Sequence, residues 1–172
     1  MRILPVQSDH LPALAILARD TFTETFGPLY CPTDLETFLV RSYAIPVLVA
    51  ETSDPAQFWR MAWDDHDQAV GYLQCGPVSL PHPEADGACQ GELKRIYVRA
   101  SHQGHGLGKA LLELGLDWMY QRYGPAPQWI GVYCDNLKAQ AIYASYGFVR
   151  VGGYQFPVGG QLDDEFILRR KP

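Results

Sequence analysis

The sequence lacks an apolar run of the ~20 residues that a membrane-spanning helix needs, and residues 1–5 do not resemble a signal peptide. We therefore expect a cytoplasmic protein with no membrane partner. The sequence also lacks a C-x-x-C pair, the spacing typical of zinc cages and dithiol redox sites. We expect no metal, and we expect the four cysteines to be reduced.

Positive charge is scarce as well. The chain has 14 Lys and Arg against 19 Asp and Glu, a net charge of −5, whereas a nucleic-acid binder needs a basic face. We expect no nucleic-acid partner, and a cationic or neutral ligand fits this charge. With 172 residues, 47% of them hydrophobic, the chain has the size and composition of a single domain over residues 1–172.

Hydrophobic periodicity and turn residues predict a mixed set of elements. Strands are predicted at 3–6, 57–63, 69–75, 92–99, 129–134, 148–151 and 165–169, and helices at 11–22, 34–40, 107–123 and 136–146. Residues 43–52 allow a strand, because Val47-Leu48-Val49 favours one, or a helix beginning near Pro46, which we favour. This order predicts an α+β fold, a three-layer sandwich on a mostly antiparallel sheet flanked by helices.

A glycine-rich turn, Gln103-Gly104-His105-Gly106-Leu107-Gly108, follows a predicted strand and begins a predicted helix. Such a helix start exposes unpaired N–H groups that suit a phosphate. A Walker loop is excluded because Gln103 stands at its first glycine and Ala110 follows Lys109. The spacing G-x-G-x-G also fails the dinucleotide fingerprint. The turn therefore predicts an anion site of another kind.

Two motifs make the chain resemble the GNAT superfamily of N-acetyltransferases. Gln103, Gly106 and Gly108 match its Q/R-x-x-G-x-G/A pattern, and residues 136–148 match its second block, Asn-x-x-Ala-x-x-x-Tyr-x-x-x-Gly-Phe. The N-terminal elements follow the order usual in the superfamily. The resemblance therefore covers nearly the whole chain and implies the GNAT fold.

A third stretch, Glu92-Leu93-Lys94-Arg95-Ile96-Tyr97-Val98, resembles the bacterial spermidine/spermine acetyltransferase branch. The chain departs from that branch at Tyr133-Cys134, where the branch often has Trp-Glu. It departs again at 159–162, where the branch is acidic, although Asp163, Asp164 and Glu165 follow directly.

The resemblance implies acetyl-CoA as co-substrate and direct acetyl transfer to an amine. The backbone of 96–98 would pair with the pantetheine amides like an added strand, and 103–109 would hold the pyrophosphate. Asn136 would contact the pantetheine arm, cap a helix, or do both. The implied cofactor residues are Ile96, Tyr97, Val98, Gln103, Gly104, His105, Gly106, Leu107, Gly108, Lys109, Asn136 and Tyr143.

The reaction needs a neutral amine and a proton for the departing thiolate. An alkyl ammonium has a pKa near 10.4, so neutralising it at pH 7 costs roughly 4–5 kcal/mol. The resemblance places Glu92 at the start of the site-lining strand as general base, and Tyr143 as general acid. The alternatives are a solvated edge carboxylate and a half-buried packing aromatic.

A small polyamine-like amine is the leading acceptor, and a protein N-terminus, a lysine, an amino acid or an antibiotic amine are alternatives. Phe22, Glu24, Phe26 and Tyr30 are candidates for the border of its pocket. A non-catalytic acyl-CoA-binding regulatory module is a second class of function. A nucleotide hydrolase is disfavoured by the missing Walker loop. The resemblance is also compatible with a homodimer.

Overall fold

The computed structural model describes residues 1–172, which form a seven-stranded sheet with helices on both faces. The strands are β1 (Arg2–Pro5), β2 (Phe58–Trp63), β3 (Ala69–Pro77), β4 (Gly91–Val98), β5 (Gln128–Tyr133), β6 (Val149–Val158) and β7 (Gln161–Arg170). The helices are α1 (Leu11–Phe26), α2 (Pro32–Tyr43), α3 (Ile45–Ser53), α4 (Leu107–Tyr123) and α5 (Leu137–Ser145). The helical prediction for 43–52 is confirmed by α3, which has a proline in its first turn.

Two hydrophobic clusters cover the two faces of the sheet. α4 and α5 pack on one face in a cluster that includes Leu73, Leu111 and Tyr143, and α1, α2 and α3 pack on the other around Leu48 and Tyr72. Tyr72 and Leu73 are neighbours on β3 that serve opposite clusters, because successive strand side chains point to opposite faces. The predicted α+β three-layer sandwich is confirmed.

The sheet order is β1-β2-β3-β4-β5-β7-β6, and every neighbouring pair is antiparallel except β4 and β5. These two strands share three register pairs, the last between Leu93 and Ile130. β4 then continues to Val98 and β5 to Tyr133, so the strands part. At the same level Lys94 has no partner on β3, a β-bulge that re-aims the β4 side chains beside the gap.

The last hairpin is longer than the sequence predicts. The predicted strands 148–151 and 165–169 extend to β6 and β7, which have 10 residues each. Glycine and proline in this stretch have low strand propensity, but a register shift between Arg150 and Gly152 accommodates the irregularity. The extension carries residues 161–164 into the sheet.

One face of α4 belongs to the core. Leu107 and Leu111 are buried, and Leu114 and Trp118 are partly buried against the same cluster. Trp118 also stacks on Phe58, with ring centroids 5.0 Å apart. No helix is long and apolar enough to cross a membrane, and no three His, Cys, Asp or Glu side chains group as metal ligands. All four cysteines are free.

Candidate active site

A cleft of about 1220 Å³ occupies the gap between the parted strands β4 and β5. One end is formed by the glycine turn and the start of α4, and the other by α1, α2 and the β6–β7 hairpin. The cleft therefore runs across the sheet and joins two chemically different ends. We call them the turn end and the hairpin end.

Backbone atoms dominate the turn end. Gly104 and Gly106 have φ angles of +82° and +84°, which L side chains rarely adopt, and a Cβ at either would meet no other atom within 4 Å. The glycines are thus required by backbone conformation and leave open space beside the chain. Because α4 begins at Leu107, its first N–H groups have no helical acceptor and are available to an anion.

The side chain of Gln103 fixes this turn in place. Its Nε2 donates to the Val98 carbonyl at 3.0 Å, and its Oε1 accepts from Lys138 Nζ at 3.1 Å. Lys109 lines the cleft. His105 is exposed and Leu107 is buried in the core, and neither lines the cleft, so any cofactor contact by these two would come from their backbone.

Residues Ile96, Tyr97 and Val98 lie on β4 beyond its last pair with β5. Their edge on this side is free of a partner strand and faces the cleft. An extended chain bearing amides can therefore add to this edge by ordinary strand hydrogen bonding.

Asn136 directly precedes α5 and lines the cleft. Its Oδ1 accepts from the Ala139 N–H at 3.1 Å, so the capping role is present. A contact with a cofactor would use its remaining amide group.

Tyr143 projects from α5 into the space between the core and the cleft. Only 8% of it is exposed, its ring packs edge-on against Phe148 at 6.1 Å, and it lines the cleft. Burial raises the pKa of its hydroxyl to about 12. The group is therefore a protonated phenol at neutral pH, able to donate a hydrogen bond or a proton into the cleft.

Glu92 also lines the cleft and is buried. Its Oε2 accepts from the Ser79 N–H at 2.8 Å, from Ser79 Oγ at 3.0 Å and from Lys94 Nζ at 3.1 Å. One carboxylate oxygen thus has three donors, and the carboxylate helps to hold the start of the long 78–90 loop. The role of Glu92 as a base stays a prediction.

The structure adds site residues that the sequence analysis did not select. Asp163 and Glu165, on β7, line the hairpin end. The Tyr30 hydroxyl donates to Asp163 Oδ2, and the Tyr154 hydroxyl donates to Glu165 Oε2. Burial raises the pKa of Glu165 above its usual value, partly offset by the Tyr154 hydrogen bond and reinforced by the negative charges of Asp163 and Glu92.

Three of the four residues predicted to border an acceptor pocket lie in the wall of the cleft. Phe22, Phe26 and Tyr30 line the cleft. Glu24 does not, because its carboxylate accepts from the Ala100 N–H at 2.9 Å and lies 3.8 Å from the Arg99 guanidinium. Helical spacing alone places Glu24 on a different face of α1 from Phe22 and Phe26.

A second polar group lines the cleft under α3. Arg95 donates to both oxygens of Glu51 at 2.5 and 3.3 Å. Beside them Gln74 is 3% exposed, and its Oε1 has no hydrogen-bond donor. Positions 51, 74 and 95 belong to three different elements, which explains why no sequence motif joins them.

Free amides at a helix start, an unpaired strand edge and a phenol between them define a site for acyl transfer from a long phosphorylated thioester to an amine. The acetyltransferase (GNAT) family model matches residues 14–148. An uncharacterised N-acetyltransferase in the pepI 3′ region of Lactobacillus delbrueckii subsp. lactis is 31% identical over 174 residues, covering 99% of this chain and 96% of that protein. The chain belongs to the GNAT family and is an acetyl-CoA-dependent N-acetyltransferase.

Solved structures agree on the fold. PaiA N-acetyltransferase from Thermoplasma acidophilum, in complex with coenzyme A, has a TM-score of 0.79 at 19% identity, covering 99% of this chain and 98% of that one. Ribosomal-protein-alanine N-acetyltransferase from Brucella melitensis has a TM-score of 0.72 at 23% identity and full coverage of both chains. The predicted superfamily, fold and co-substrate are confirmed, and the acceptor remains to be assigned.

Proposed function

We propose that the acceptor is a small polyamine-like amine with more than one positive charge. The main support is that the two carboxylates at the hairpin end receive hydrogen bonds from neutral groups only. Asp163 accepts from Tyr30 and Gln161. Glu165 accepts from Tyr154. Two negative charges without a protein cation favour a ligand that supplies the cations.

The other carboxylates of the cleft differ in this respect. Glu92 pairs with Lys94 at 3.1 Å, and Glu51 pairs with Arg95 at 2.5 Å. The charge left uncompensated is therefore concentrated on β7. Because alternate residues of a strand share a face, the Cα atoms of Asp163 and Glu165 lie roughly 6.8 Å apart along it, which suits two nitrogens of one flexible chain.

Aromatic side chains complete this end of the cleft. The members that line it are Phe22, Phe26, Tyr30, Phe38, Tyr133, Tyr154 and Phe156. Their faces attract cations and their apolar surface accepts the methylene segments of a polyamine. An acceptor of this class would place one amine at the strand gap and the remaining charge along β7.

At the turn end we propose that the backbone of 103–109 binds the pyrophosphate and that of 96–98 pairs with pantetheine. The thioester carbonyl would then lie at the gap, within reach of Tyr143. Since burial keeps Tyr143 protonated at neutral pH, it supplies the proton that the departing thiolate takes up.

A cytoplasmic location fits a chain whose four cysteines are free.

A protein N-terminus is the second candidate acceptor. The ribosomal-protein-alanine enzyme shares the fold, and the unpartnered Oε1 of Gln74 can accept a peptide N–H. Gln74 and Ser42 of α2 line the same cleft.

Thiol release from acetyl-CoA tests the proposal with spermine, spermidine, single amino acids, aminoglycosides and peptides that begin with alanine. We expect turnover with the polyamines, with kcat/KM at least tenfold above that for any peptide. Turnover with peptides alone would contradict the proposed acceptor and support the second candidate. Binding of acetyl-CoA without turnover of any amine would favour a regulatory module.

A further inference from the structure

Two side chains lie close to the backbone of Gly131, at the centre of the gap. Gly131 is the first β5 residue beyond the last pair with β4. A Cβ there would lie 2.8 Å from the Tyr154 hydroxyl and 3.1 Å from Glu165 Oε2. The Glu165 carboxylate therefore lies directly over the β5 backbone at the point where the strands part, which is the middle of the cleft.

Two carboxylates consequently compete for the role of proton acceptor at the gap, Glu92 on β4 and Glu165 on β7. Three donors, one of them the Lys94 ammonium, already occupy Oε2 of Glu92. Glu165 has a single donor, the Tyr154 hydroxyl, and no cation. Both side chains line the cleft and both have an Oε1 without a protein partner, so the difference lies at Oε2, where Glu92 is neutralised by Lys94 and Glu165 has no cation.

We propose that Glu165, positioned by the Tyr154 hydroxyl, is the catalytic base that takes the proton from the acceptor ammonium, directly or through one water. Glu92 then acts as a positioning residue that holds Ser79 and Lys94. This deepens the proposed function, since it needs an amine acceptor but not a particular one.

The ammonium gives one proton to Glu165, and the nitrogen lone pair forms a bond to the acetyl carbon. The C–S bond breaks, and the sulfur takes the proton of Tyr143. The nitrogen then loses its second proton, which returns to Tyr143 through solvent, and Glu165 releases its own proton to solvent. The sum is an amide, a free thiol and one proton.

Burial supports this assignment, because it raises the pKa of Glu165 towards neutrality and so makes the carboxylate a better proton acceptor. The titratable or charged groups around it come from the neighbouring strands and the segment before α2. They are Glu92, Lys94 and Tyr97 of β4, Tyr133 of β5, Tyr154 of β6, Asp163 of β7, and Tyr30.

The test measures kcat/KM from pH 6 to pH 10 for the whole protein and for Glu165→Gln, Glu92→Gln and Asp164→Asn. Spermidine and an alanine-initiated peptide are the acceptors, and whichever turns over is used throughout. Asp164→Asn is the matched control, because it removes the same charge from the exposed side of β7. Calorimetric binding of coenzyme A checks that each variant keeps its fold.

We expect Glu165→Gln to lower kcat/KM at pH 7 by about a hundredfold or more, with the coenzyme A Kd within twofold. Without a base the variant can use only amine that is already neutral in solution. Its kcat/KM should therefore rise about tenfold per pH unit towards pH 10, whereas the unmodified protein reaches a plateau once Glu165 is ionised. Asp164→Asn should keep both the rate and the plateau.

The proposal is wrong if Glu165→Gln keeps the plateau or has a kcat/KM within about threefold of that of the unmodified protein. Loss of both the plateau and the rate in Glu92→Gln would then assign the base to Glu92. Should Glu165→Gln fail to bind coenzyme A, Tyr154→Phe serves instead. This variant keeps the Glu165 carboxylate but removes the hydrogen bond that positions it. We therefore expect kcat/KM to fall about tenfold with the plateau retained. An unchanged rate in Tyr154→Phe would contradict the positioning role. Turnover of the peptide rather than spermidine would overturn the proposed acceptor while still testing the base.

Discussion

The two ends of the cleft offer a ligand different kinds of groups. At the turn end these groups are backbone amides of one continuous segment, 103–109, and the free edge of β4. At the hairpin end they are side chains that α1, the segment after it, β6 and β7 bring together. A backbone site needs a conformation that glycine allows, whereas a side-chain site needs particular groups at positions fixed only by the fold.

The two ends also differ in charge. Lys109 and Lys138 line the turn end, beside the start of α4 and its dipole. Asp163 and Glu165 line the hairpin end without a cation. One cleft therefore suits an anion at one end and a cation at the other, and Tyr143 lies between them. Changes at each end should alter binding of one ligand and leave the other unchanged.

The largest effect is expected for Tyr143, the residue between the two ends. Tyr143→Phe removes the phenol proton but keeps the buried ring against Phe148, so the packing of the site is unchanged. We expect kcat to fall about a hundredfold or more, with the coenzyme A Kd within twofold. Thiol release and calorimetry measure the two quantities. Tyr120→Phe, on the exposed face of α4, is the control and should leave both unchanged.

The next effect concerns the hairpin end alone. In Asp163→Asn the amide oxygen can still accept the Tyr30 hydrogen bond, but the negative charge is lost. A buried charge lost from an ion pair costs about 2 kcal/mol or more, so we expect KM for spermidine to rise roughly thirtyfold. Initial-rate kinetics at saturating acetyl-CoA measure it. An equal increase in the coenzyme A Kd would show that the two ends are not separate.

A smaller effect is expected at the turn end. Gly106→Ala forces a side chain to adopt φ +84°, which costs roughly 1–2 kcal/mol. If the turn shifts to relieve this strain, the coenzyme A Kd should rise about tenfold while the acceptor KM stays within twofold. Gly124→Ala is the control, because its φ of +62° is also left-handed but it lies outside the cleft. It should lower stability without changing either binding constant.

The same difference between the ends explains how much can be predicted from the sequence. The turn end is contiguous, so the local spacing of Gln103, Gly106 and Gly108 is enough to predict a helix start with free amides. The α+β layers follow equally from local periodicity, because each amphipathic element carries its own pattern. Tyr143 and Asn136 lie within one motif on α5 and are predicted for the same reason.

The hairpin end cannot be found in this way. Tyr30 and Asp163 are 133 positions apart, and their contact depends on β6 and β7 extending farther than glycine-rich sequence predicts. The acidic run 163–165 is visible in the sequence, but its facing depends on the strand register with β6. A period-2 pattern over 161–170 places Asp163 and Glu165 on one face only once a strand is assigned there.

The smallest expected effect is on the stability of the folded protein, through the charge of Glu165. Because burial raises the pKa of Glu165, the folded state binds more protons than the unfolded state between the two pKa values. Stability from this group is therefore present at low pH and is lost as pH rises through that interval.

Glu165→Gln keeps an acceptor for Tyr154 without the charge, so we expect its Tm at pH 8 to rise by a few degrees and the difference to vanish near pH 4. Thermal melts at both pH values measure this, with the exposed Asp164→Asn as control. A lower Tm of the variant at pH 8 would mean that the ionised Glu165 carboxylate stabilises the folded protein. The uncompensated charge at the hairpin end would then not destabilise the fold.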